Sequence, residues 1–275
     1  MNKISIVTPS LNQGAFFTEM LESVRSQNYP NVEHIVVDGG SKDETLPLLH
    51  SKSGTGWDHL RWTSERDGGQ AQALNKGFRQ ATGDIIGWLN SDDRYRPGCF
   101  EIAARIFSEN PDVDVIYGDY TFIDESGNHL RVRREIAFNR LVLLHHHMNY
   151  IPTTATFFRR RIFDDGNWLD ESLHYAMDHE FYLRLARKGY RIKHVPAVLA
   201  DFRIHTASKT CSTPERALAE SRIARQRYSL IASGVKNKAL RTVSLAALRS
   251  AAAVARHSEK LIRGYYLPER LRPIR

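Results

Sequence analysis

The 275-residue sequence predicts an α/β protein built on an open, mostly parallel sheet flanked by helices, with a C-terminal helical extension. Short β-rich segments alternate with segments of helical period from the first residue onward, in the order βαβαβαβ. One of these strands, Asp84–Leu89, is apolar along its length, as strands buried on both faces of a parallel sheet are. Hydrophobic residues make up 41% of the chain, which is enough for a packed core and excludes a disordered protein.

Each element is predicted from a local signal. A β-rich run predicts a first strand that starts at Ile4 and that Pro9 ends, and apolar residues at helical spacing predict a helix over 16–24. The same signals predict further strands at 32–37, 59–64, 84–89 and 113–118, and further helices at 43–50, 70–81 and 97–108. In the less regular second half they predict a hairpin of 120–123 with 129–133, strands at 153–159, 191–195 and 198–204, and helices at 177–188 and through 215–263.

Composition limits the functional class and the compartment. The formal charge is +8, but residues 215–275 carry +10 and the rest of the chain −2, so no nucleic-acid partner is expected for the main body. Cys99 and Cys211 cannot build a disulfide framework, and the N-terminal apolar run is too short for a signal peptide. No apolar stretch is long enough to span a membrane. These features predict a cytoplasmic protein.

Four successive strands of the predicted sheet end in polar, turn-rich segments: Thr8-Pro9, Asp38-Gly39-Gly40, 65–69 and 90–93. Ligands of open α/β sheets bind at the carboxyl ends of the strands, so a site is expected there. Within the last segment, Asp92 and Asp93 are adjacent carboxylates at a buried strand end. A divalent cation would relieve their repulsion, although either residue could simply cap the turn into the following helix.

Longer motifs add a specific resemblance. The segments SIVTPSLNQGAF, VVDGGSKDET, NKGFRQATGDIIGWLNSDD and YAMDHEFYLRLARKGY occur in this order. Together they resemble the family 2 glycosyltransferases, nucleotide-sugar-dependent enzymes of the GT-A fold, over residues 2–210. The resemblance implies a nucleotide-sugar-binding half at 1–118, an acceptor-binding and catalytic half at 119–214, and a basic helical extension at 215–275.

The resemblance also implies the substrates. The expected donor is a nucleotide sugar, UDP-linked in preference to GDP- or dTDP-linked, and the expected acceptor is a saccharide or a lipid-linked oligosaccharide in cell-surface polysaccharide synthesis. The donor contacts that it implies fall on Thr8, Pro9, Asp38, Asp67, Lys76, Asn90 and Asp92. Two of these have a plain alternative: Asp38 could be a turn-forming residue, and Lys76 a solvated helix lysine.

A divalent cation, Mn²⁺ or Mg²⁺, is the implied cofactor. The family's DXD motif aligns with Asn90-Ser91-Asp92 and is followed by Asp93, so asparagine replaces the first acid and keeps an acceptor oxygen without the charge. The implied metal ligands are Asp92 and Asp93, whose roles could be exchanged. His205, in an Arg-x-His run, could complete the metal site or contact the diphosphate, unless it is a surface loop histidine.

Asp178 matches the family's catalytic aspartate, which removes the acceptor's hydroxyl proton in an inverting transfer. The alternative is that Asp178 only caps its helix, and Glu180 is the nearest rival for the catalytic role.

The basic extension is open to two interpretations. Arg241, Arg249, Arg256 and Arg263 form a single helical stripe beside apolar residues, so the segment 236–263 could lie on an anionic membrane at the cytoplasmic face of the inner membrane. Alternatively the helix packs on the catalytic domain with its arginines solvated.

Other functional classes fit the sequence less well. A sugar-nucleotide pyrophosphorylase would need a basic, glycine-rich loop after the first strand, where this chain has TPSLNQG, and a dinucleotide oxidoreductase would need a GxGxxG motif. A non-enzymatic nucleic-acid-binding or scaffold protein would account for the basic extension but not for the carboxylates at the strand ends. The lack of spanning segments argues against a processive synthase that extrudes its product.

Overall fold

The computed structural model describes residues 1–52, 54, 56–206, 208, 214–229, 231 and 237–267, so Cys211 lies outside the described part. Its strands are β1 Ile4–Ser10, β2 Val32–Asp38, β3 Leu60–Ser64, β4 Ile85–Trp88, β5 Arg94–Tyr95, β6 Val115–Ile123, β7 His129–Arg133, β8 Thr156–Arg159 and β9 Ile192–Arg203. Its helices are α1 Gly14–Arg25, α2 Thr45–Ser51, α3 Gln70–Gln80, α4 Cys99–Glu109, α5 Arg140–His145, α6 Arg161–Asp164, α7 Met177–Lys188, α8 Pro214–Tyr228 and α9 Lys238–Ile262.

The strands form one sheet in the order β3-β2-β1-β4-β8-β6-β9-β5, with β7 added to β6. Strands β3, β2, β1 and β4 are parallel. Strand β8 is antiparallel to both of its neighbours, whereas β6 and β9 are again parallel to each other. The predicted α/β class with a mostly parallel sheet is therefore confirmed.

Helices cover both faces of the sheet, and each face has its own apolar cluster. One cluster contains residues of α1 and α4, and the other contains residues of α3, α5 and α7. Helix α3 comes unusually close to β1, because a Cβ atom at Gly77 would lie 2.3 Å from Cγ1 of Val7. The glycine of the NKG element is thus required by packing between this helix and the central strand.

Three strands differ from the prediction. Strand β1 continues through Pro9, which lies beyond the last residue paired with β4, so its missing N–H costs no hydrogen bond on that side. Strand β6 is continuous over two predicted strands, and so is β9. Register shifts in the pairing of β6 with β9 accommodate the residues between the predicted strands without ending either strand. Strand β6 also crosses the predicted division at residue 118.

The C-terminal helices are docked on the second half of the chain. Arg256 and Lys260 of α9 are buried and lie 3.3 Å and 3.9 Å from the carboxylate of Glu135, and Glu259 accepts a hydrogen bond from the backbone N–H of Ala137. The packed interpretation of this helix is thereby supported, but with Arg256 buried rather than solvated. No helix in the described part combines the length and apolar character needed to cross a membrane.

Candidate active site

The predicted strand ends meet at one edge of the sheet. Ser10 is paired with Asp38 and Asp38 with Ser64, so the ends of β1, β2 and β3 lie in one row. Strand β4 ends beside β1, where Trp88 pairs with Val7. The loop after β1 is tied to the loop after β2, since the N–H of Asn12 donates to Ser41 and that of Gly14 donates to Asp43.

Asp38 organises the turn after β2. Its carboxylate accepts hydrogen bonds from the N–H groups of Gly40 and Ser41 at 3.0 Å and 2.9 Å, and from the hydroxyls of Ser41 and Ser64. The side chain is fully buried, so it fulfils the turn-forming role that the sequence left open. A direct contact between this carboxylate and a base stays a prediction.

Thr8 directs its side chain away from the strand-end edge and into the core. It is fully buried, with Oγ1 2.9 Å from Nε2 of His34 and 3.8 Å from the sulfur of Met20. Pro9 is buried as well. Any contact that Thr8 makes with a nucleoside must therefore come from its backbone.

Asp67 lies in the β3–α3 loop, and Lys76 lies in the middle of α3. Asp67 accepts a hydrogen bond from the N–H of Gly69 at 2.9 Å, and its Oδ2 would lie 3.0 Å from a Cβ atom on Gly39. Asp67 therefore stands directly against the turn after β2. The ammonium of Lys76 is 2.7 Å from the carboxylate of Glu65, an ion pair at the surface.

Asn90 is the centre of a hydrogen-bond network. Its Oδ1 accepts from Nε2 of Gln70 at 2.9 Å and from Nε1 of Trp88 at 2.8 Å, while its Nδ2 donates to Asp93 at 3.3 Å. An aspartate here could not make that donation and would face a second carboxylate. The local network thus explains why asparagine stands at the first position of the DXD-like motif.

Asp93 is buried beneath the site. It accepts hydrogen bonds from Oγ1 of Thr154 at 2.5 Å, from the N–H of Arg203 at 2.9 Å and from Asn90. Burial, and next the neighbouring charge of Asp92, raise the pKa of the Asp93 carboxyl well above its usual range. Its oxygens are already engaged by protein donors, which favours Asp92 as the main metal ligand.

Asp92 and His205 form an oxygen and nitrogen donor pair. Oδ2 of Asp92 lies 3.0 Å from Nε2 of His205, and the Asp92 side chain keeps 20% of its surface exposed. The imidazole packs on the ring of Phe16 with 4.7 Å between ring centres. A carboxylate and a neutral imidazole suit Mn²⁺, so the pair fits a divalent cation. No cluster of three ligating side chains occurs within the described ranges, so a bound cation would need other ligands as well.

Asp178 lies in the first turn of α7, and Ala176 is the N-cap residue of that helix. Asp178 is therefore not the N-cap residue, although its carboxylate accepts hydrogen bonds from backbone N–H groups of this first turn. Its Oδ2 accepts a hydrogen bond from Nδ2 of Asn149 at 3.0 Å. Burial raises the pKa of the Asp178 carboxyl above its usual value, which brings a carboxylate closer to the strength that a general base needs.

Glu180, the rival for the catalytic role, is occupied elsewhere. Its two carboxylate oxygens accept hydrogen bonds from Arg184 at 2.9 Å and 3.0 Å, and the hydroxyl of Tyr228 donates to it at 2.5 Å. The residue is only 2% exposed. Glu180 thus joins α7 to α8 and has no access to an acceptor.

Two contacts bring the catalytic candidate close to the strand ends. Asn149 binds Asp178, and Thr154 binds Asp93. Asn149 and Thr154 are five positions apart in the chain, so their Cα atoms are at most about 18 Å apart. In addition, Gly69 lies next to the imidazole of His174 in the loop before α7.

Sequence reasoning missed several residues that hold this arrangement. Arg203 is 1% exposed and donates to the carbonyl of Asp92 and to Glu19. Glu220 on α8 accepts hydrogen bonds from the backbone N–H groups of His174, Tyr175 and Ala176. The Arg-x-His run was the only signal for Arg203, and nothing in the sequence signals Glu220.

Comparisons with known proteins identify the family. The model of glycosyl transferase family 2 matches residues 5–166. The chain therefore belongs to glycosyltransferase family 2. Its relatives include an uncharacterised glycosyltransferase of Mycobacterium tuberculosis, which is 33% identical over 66% of this chain and 68% of its own length. A second, from Rickettsia prowazekii, is 30% identical over 75% of this chain and 65% of its own length. A relative from Rickettsia felis is matched over only 21% of its length.

Two solved structures show a similar fold. The crystal structure of S. aureus TarS 1-349 in complex with UDP-GlcNAc has a TM-score of 0.69 at 18% identity and covers 92% of this chain and 73% of that chain. The mannosyltransferase PcManGT from Pyrobaculum calidifontis, in complex with GDP-Man and Mn²⁺, has a TM-score of 0.56 at 19% identity, over 82% and 61% of the two chains. These matches confirm the predicted GT-A architecture.

Proposed function

We propose that this family 2 glycosyltransferase moves a sugar from a nucleotide-sugar donor, UDP-linked in preference to GDP-linked, to a hydroxyl of a saccharide or lipid-linked acceptor, with inversion at the sugar carbon. The observation that carries the proposal is that three carboxylates have different surroundings. Asp178 is only partly exposed and burial raises the pKa of its carboxyl, Glu180 is paired with Arg184, and Asp92 faces His205 after the end of β4.

In the proposed reaction Asp178 accepts the proton of the acceptor's hydroxyl as that oxygen attacks the sugar carbon. The amide of Asn149, which donates to the carboxylate, fixes its orientation toward the acceptor. Inversion requires attack from the side opposite the leaving nucleotide diphosphate, so the base and the donor's phosphates must lie on opposite sides of the sugar. The chain between Asn149, which binds Asp178, and Thr154, which binds Asp93, limits how far apart these two groups can lie.

On the donor side, the chain would bind the nucleotide along the row of strand ends. Asp92 and His205 would hold a divalent cation, which when bound neutralises charge on the departing diphosphate. Asp93 supports that pair from below through Arg203. Asp38, Asp67 and the backbone at Thr8 would line the nucleoside side, with Lys76 free to exchange Glu65 for a phosphate.

The acceptor side includes a candidate membrane contact. On α9 the exposed apolar residues Val243, Val254 and Leu261 fall on one stripe, while the more buried Arg256 and Lys260 face the protein body. Lys238 and Arg249 of the same helix are exposed, on the side of the helix that also carries Arg256. We propose that this stripe rests on an anionic membrane, which would place the enzyme beside a lipid-linked acceptor.

A donor screen tests the proposed reaction. The full chain is incubated with UDP-, GDP- and dTDP-sugars in the presence of Mn²⁺, and release of the nucleotide diphosphate is measured. We expect release from one donor class, most strongly a UDP-sugar, and its loss when EDTA removes the cation. The proposal would be contradicted if the nucleotide diphosphate were released at the same rate from every donor, with or without EDTA.

Vesicle binding tests the membrane contact separately. Replacing Val243, Val254 and Leu261 by serine should lower co-sedimentation with phosphatidylglycerol vesicles, because about 25 cal/mol is lost for each Å² of apolar surface that no longer inserts. UDP binding should not change. Equal sedimentation of both proteins would remove the membrane from the proposal and leave the transfer reaction untouched.

A further inference from the structure

A cavity of about 170 Å³ opens between β7 and the end of α9. We call it the basic pocket and define it by Arg131, Arg133, Arg134, Lys260, Tyr265 and Tyr266, which line it together with Val132. Four of these side chains are cationic, and the lining contains no carboxylate. Since a water molecule takes about 30 Å³ in the liquid, the cavity has room for a phosphate-sized group.

The chain is shaped to close this pocket. Gly264 has a φ of +66°, which favours glycine and lets the chain reverse after α9. The N–H of Tyr265 then donates to the carbonyl of Lys260 at 2.8 Å. This turn brings the rings of Tyr265 and Tyr266 beside the cations of β7, while their hydroxyls form hydrogen bonds with Arg263 and His257.

The positive charge around the pocket exceeds the negative charge. Glu135 is the carboxylate nearest the cations, and it is shared by Arg133 at 2.7 Å, Arg256 at 3.3 Å and Lys260 at 3.9 Å. Glu259 is already paired with Arg263. Burial, together with the charges of Arg133 and Arg256, lowers the pKa of Lys260 to about 8 in spite of Glu135. An anion in the cavity would relieve this repulsion.

The basic pocket is separate from the candidate active site. The hairpin that contains β7 has its turn near Arg203, which donates to the carbonyls of Asp124 and Glu125. The pocket is lined from Arg131, in the middle of β7, to Arg134, just past its last residue. Three residues of strand, or about 10 Å, separate Arg131 from the end of the hairpin turn at residue 128.

We propose that the basic pocket binds a phosphate group, supplied by a lipid headgroup or by a free phosphate. One arginine guanidinium can donate two parallel hydrogen bonds to two oxygens of a phosphate. Arg131 lines the pocket and is exposed, so its guanidinium can bind a phosphate there. This site does not depend on the proposed transfer reaction, since none of its residues belongs to the candidate active site.

Two binding arms test the pocket on the full chain, with UDP present to occupy the donor site. One arm measures inorganic phosphate by calorimetry, and the other measures co-sedimentation with phosphatidylcholine vesicles with or without phosphatidylglycerol. Arg131→Gln should weaken binding about tenfold in at least one arm, as expected for the loss of one charged hydrogen-bonding group. Arg105→Gln on α4 makes the same charge change at an exposed site away from the pocket and should bind like the wild type.

The arms identify the source of the phosphate. If Arg131→Gln weakens vesicle binding alone, the phosphate group comes from a lipid headgroup. If it weakens the binding of inorganic phosphate, the ligand is a free phosphate. Arg134→Gln provides a second variant should Arg131→Gln fold poorly. The proposal is overturned if neither pocket variant weakens binding in either arm, if Arg105→Gln weakens it equally, or if the pocket variants reduce the affinity for UDP to the same degree.

Discussion

Asp178 and Glu180 lie two residues apart on α7, yet their surroundings give them different properties. The Asp178 carboxylate accepts hydrogen bonds from Asn149 and from backbone N–H groups and has a raised pKa, whereas the Glu180 carboxylate is buried between Arg184 and Tyr228. The family resemblance favoured Asp178 over Glu180, but the sequence did not show that Glu180 is occupied, because one of its partners, Tyr228, comes from a distant helix.

The base assignment is tested by exchanging each carboxylate for its amide. Asp178→Asn should reduce transfer by roughly 10² to 10⁴-fold, the usual contribution of a general base, and leave UDP affinity unchanged. Glu180→Gln should instead lower the free energy of unfolding by about 3 kcal/mol, because it breaks a buried ion pair. Transfer rate, UDP affinity and chemical denaturation are measured on each variant. Near-normal transfer by Asp178→Asn, with a collapse of transfer by a stably folded Glu180→Gln, would move the role to Glu180.

A second residue-scale prediction concerns the asparagine of the DXD-like motif. Asn90→Asp removes the donor to Asp93 and places a carboxylate beside a buried one, so the free energy of unfolding should fall by about 1–3 kcal/mol. Asn128→Asp is the matched control, because Asn128 also donates to a carboxylate, that of Asp124, but at an exposed turn. Its effect should stay within about 0.5 kcal/mol. The free energy of unfolding is measured by urea denaturation. An equal decrease in Asn90→Asp and Asn128→Asp would refute the explanation for Asn90.

Helix α8 packs against the start of α7, although its charge suggested that it belongs to a separate extension. Glu220 accepts three backbone N–H groups just ahead of α7, where a negative charge also interacts favourably with the helix dipole. Tyr228 and Arg225 add contacts to Glu180 and to the carbonyl of His147. Removal of α8 would therefore disturb the start of the helix that carries Asp178.

Glu220→Gln should slow transfer several-fold and lower the free energy of unfolding by about 1 kcal/mol, because the amide retains only one acceptor oxygen for the helix start. The affinity for UDP should not change, since the proposed donor site lies at the strand ends. Glu215→Gln, an exposed carboxylate in the first turn of the same helix, serves as the control. A loss of UDP affinity in Glu220→Gln, or equal kinetic effects in both variants, would contradict a positioning role.

Elements with strong local signals were predictable from the sequence, and elements set by distant contacts were not. Strands β1 to β4 and their polar ends follow from β-rich runs closed by proline, glycine and aspartate. The continuous strands β6 and β9 were split in the prediction because a register shift leaves no local mark. The charge pattern of α9 likewise gave its helical stripe but not the buried partner of Arg256, Glu135, more than a hundred residues away.

The dependence of the free energy of unfolding on pH in acid is a property of the whole molecule. Two buried histidines contribute to it. Burial lowers the pKa of both His34 and His179 to about 3, against an ordinary value of 6.5. Each therefore stays neutral in the folded state while it gains a proton in the unfolded state. Their contribution to stability is complete above pH 6.5 and is lost as the pH falls toward 3, by about 1.4 kcal/mol per pH unit for each histidine.

Denaturation at several pH values tests this prediction. Between pH 6 and pH 4 the free energy of unfolding of His179→Leu should fall less steeply than that of the wild type, by about 1.4 kcal/mol per pH unit. His50→Gln, a change at an exposed histidine, should leave the slope as it is. A wild-type slope in His179→Leu would show that His179 is not held neutral by burial.

Calorimetric titration with UDP, in the presence and absence of Mn²⁺, tests the central claim most directly. The claim is that Asp92, with His205, holds the cation that a nucleotide donor needs, while Asp93 supports it from beneath. We predict that Mn²⁺ tightens UDP binding to the wild type by tenfold or more, and that Asp92→Asn removes this gain without unfolding the protein. An undiminished gain from Mn²⁺ in a folded Asp92→Asn variant, or no gain in the wild type, would contradict the account.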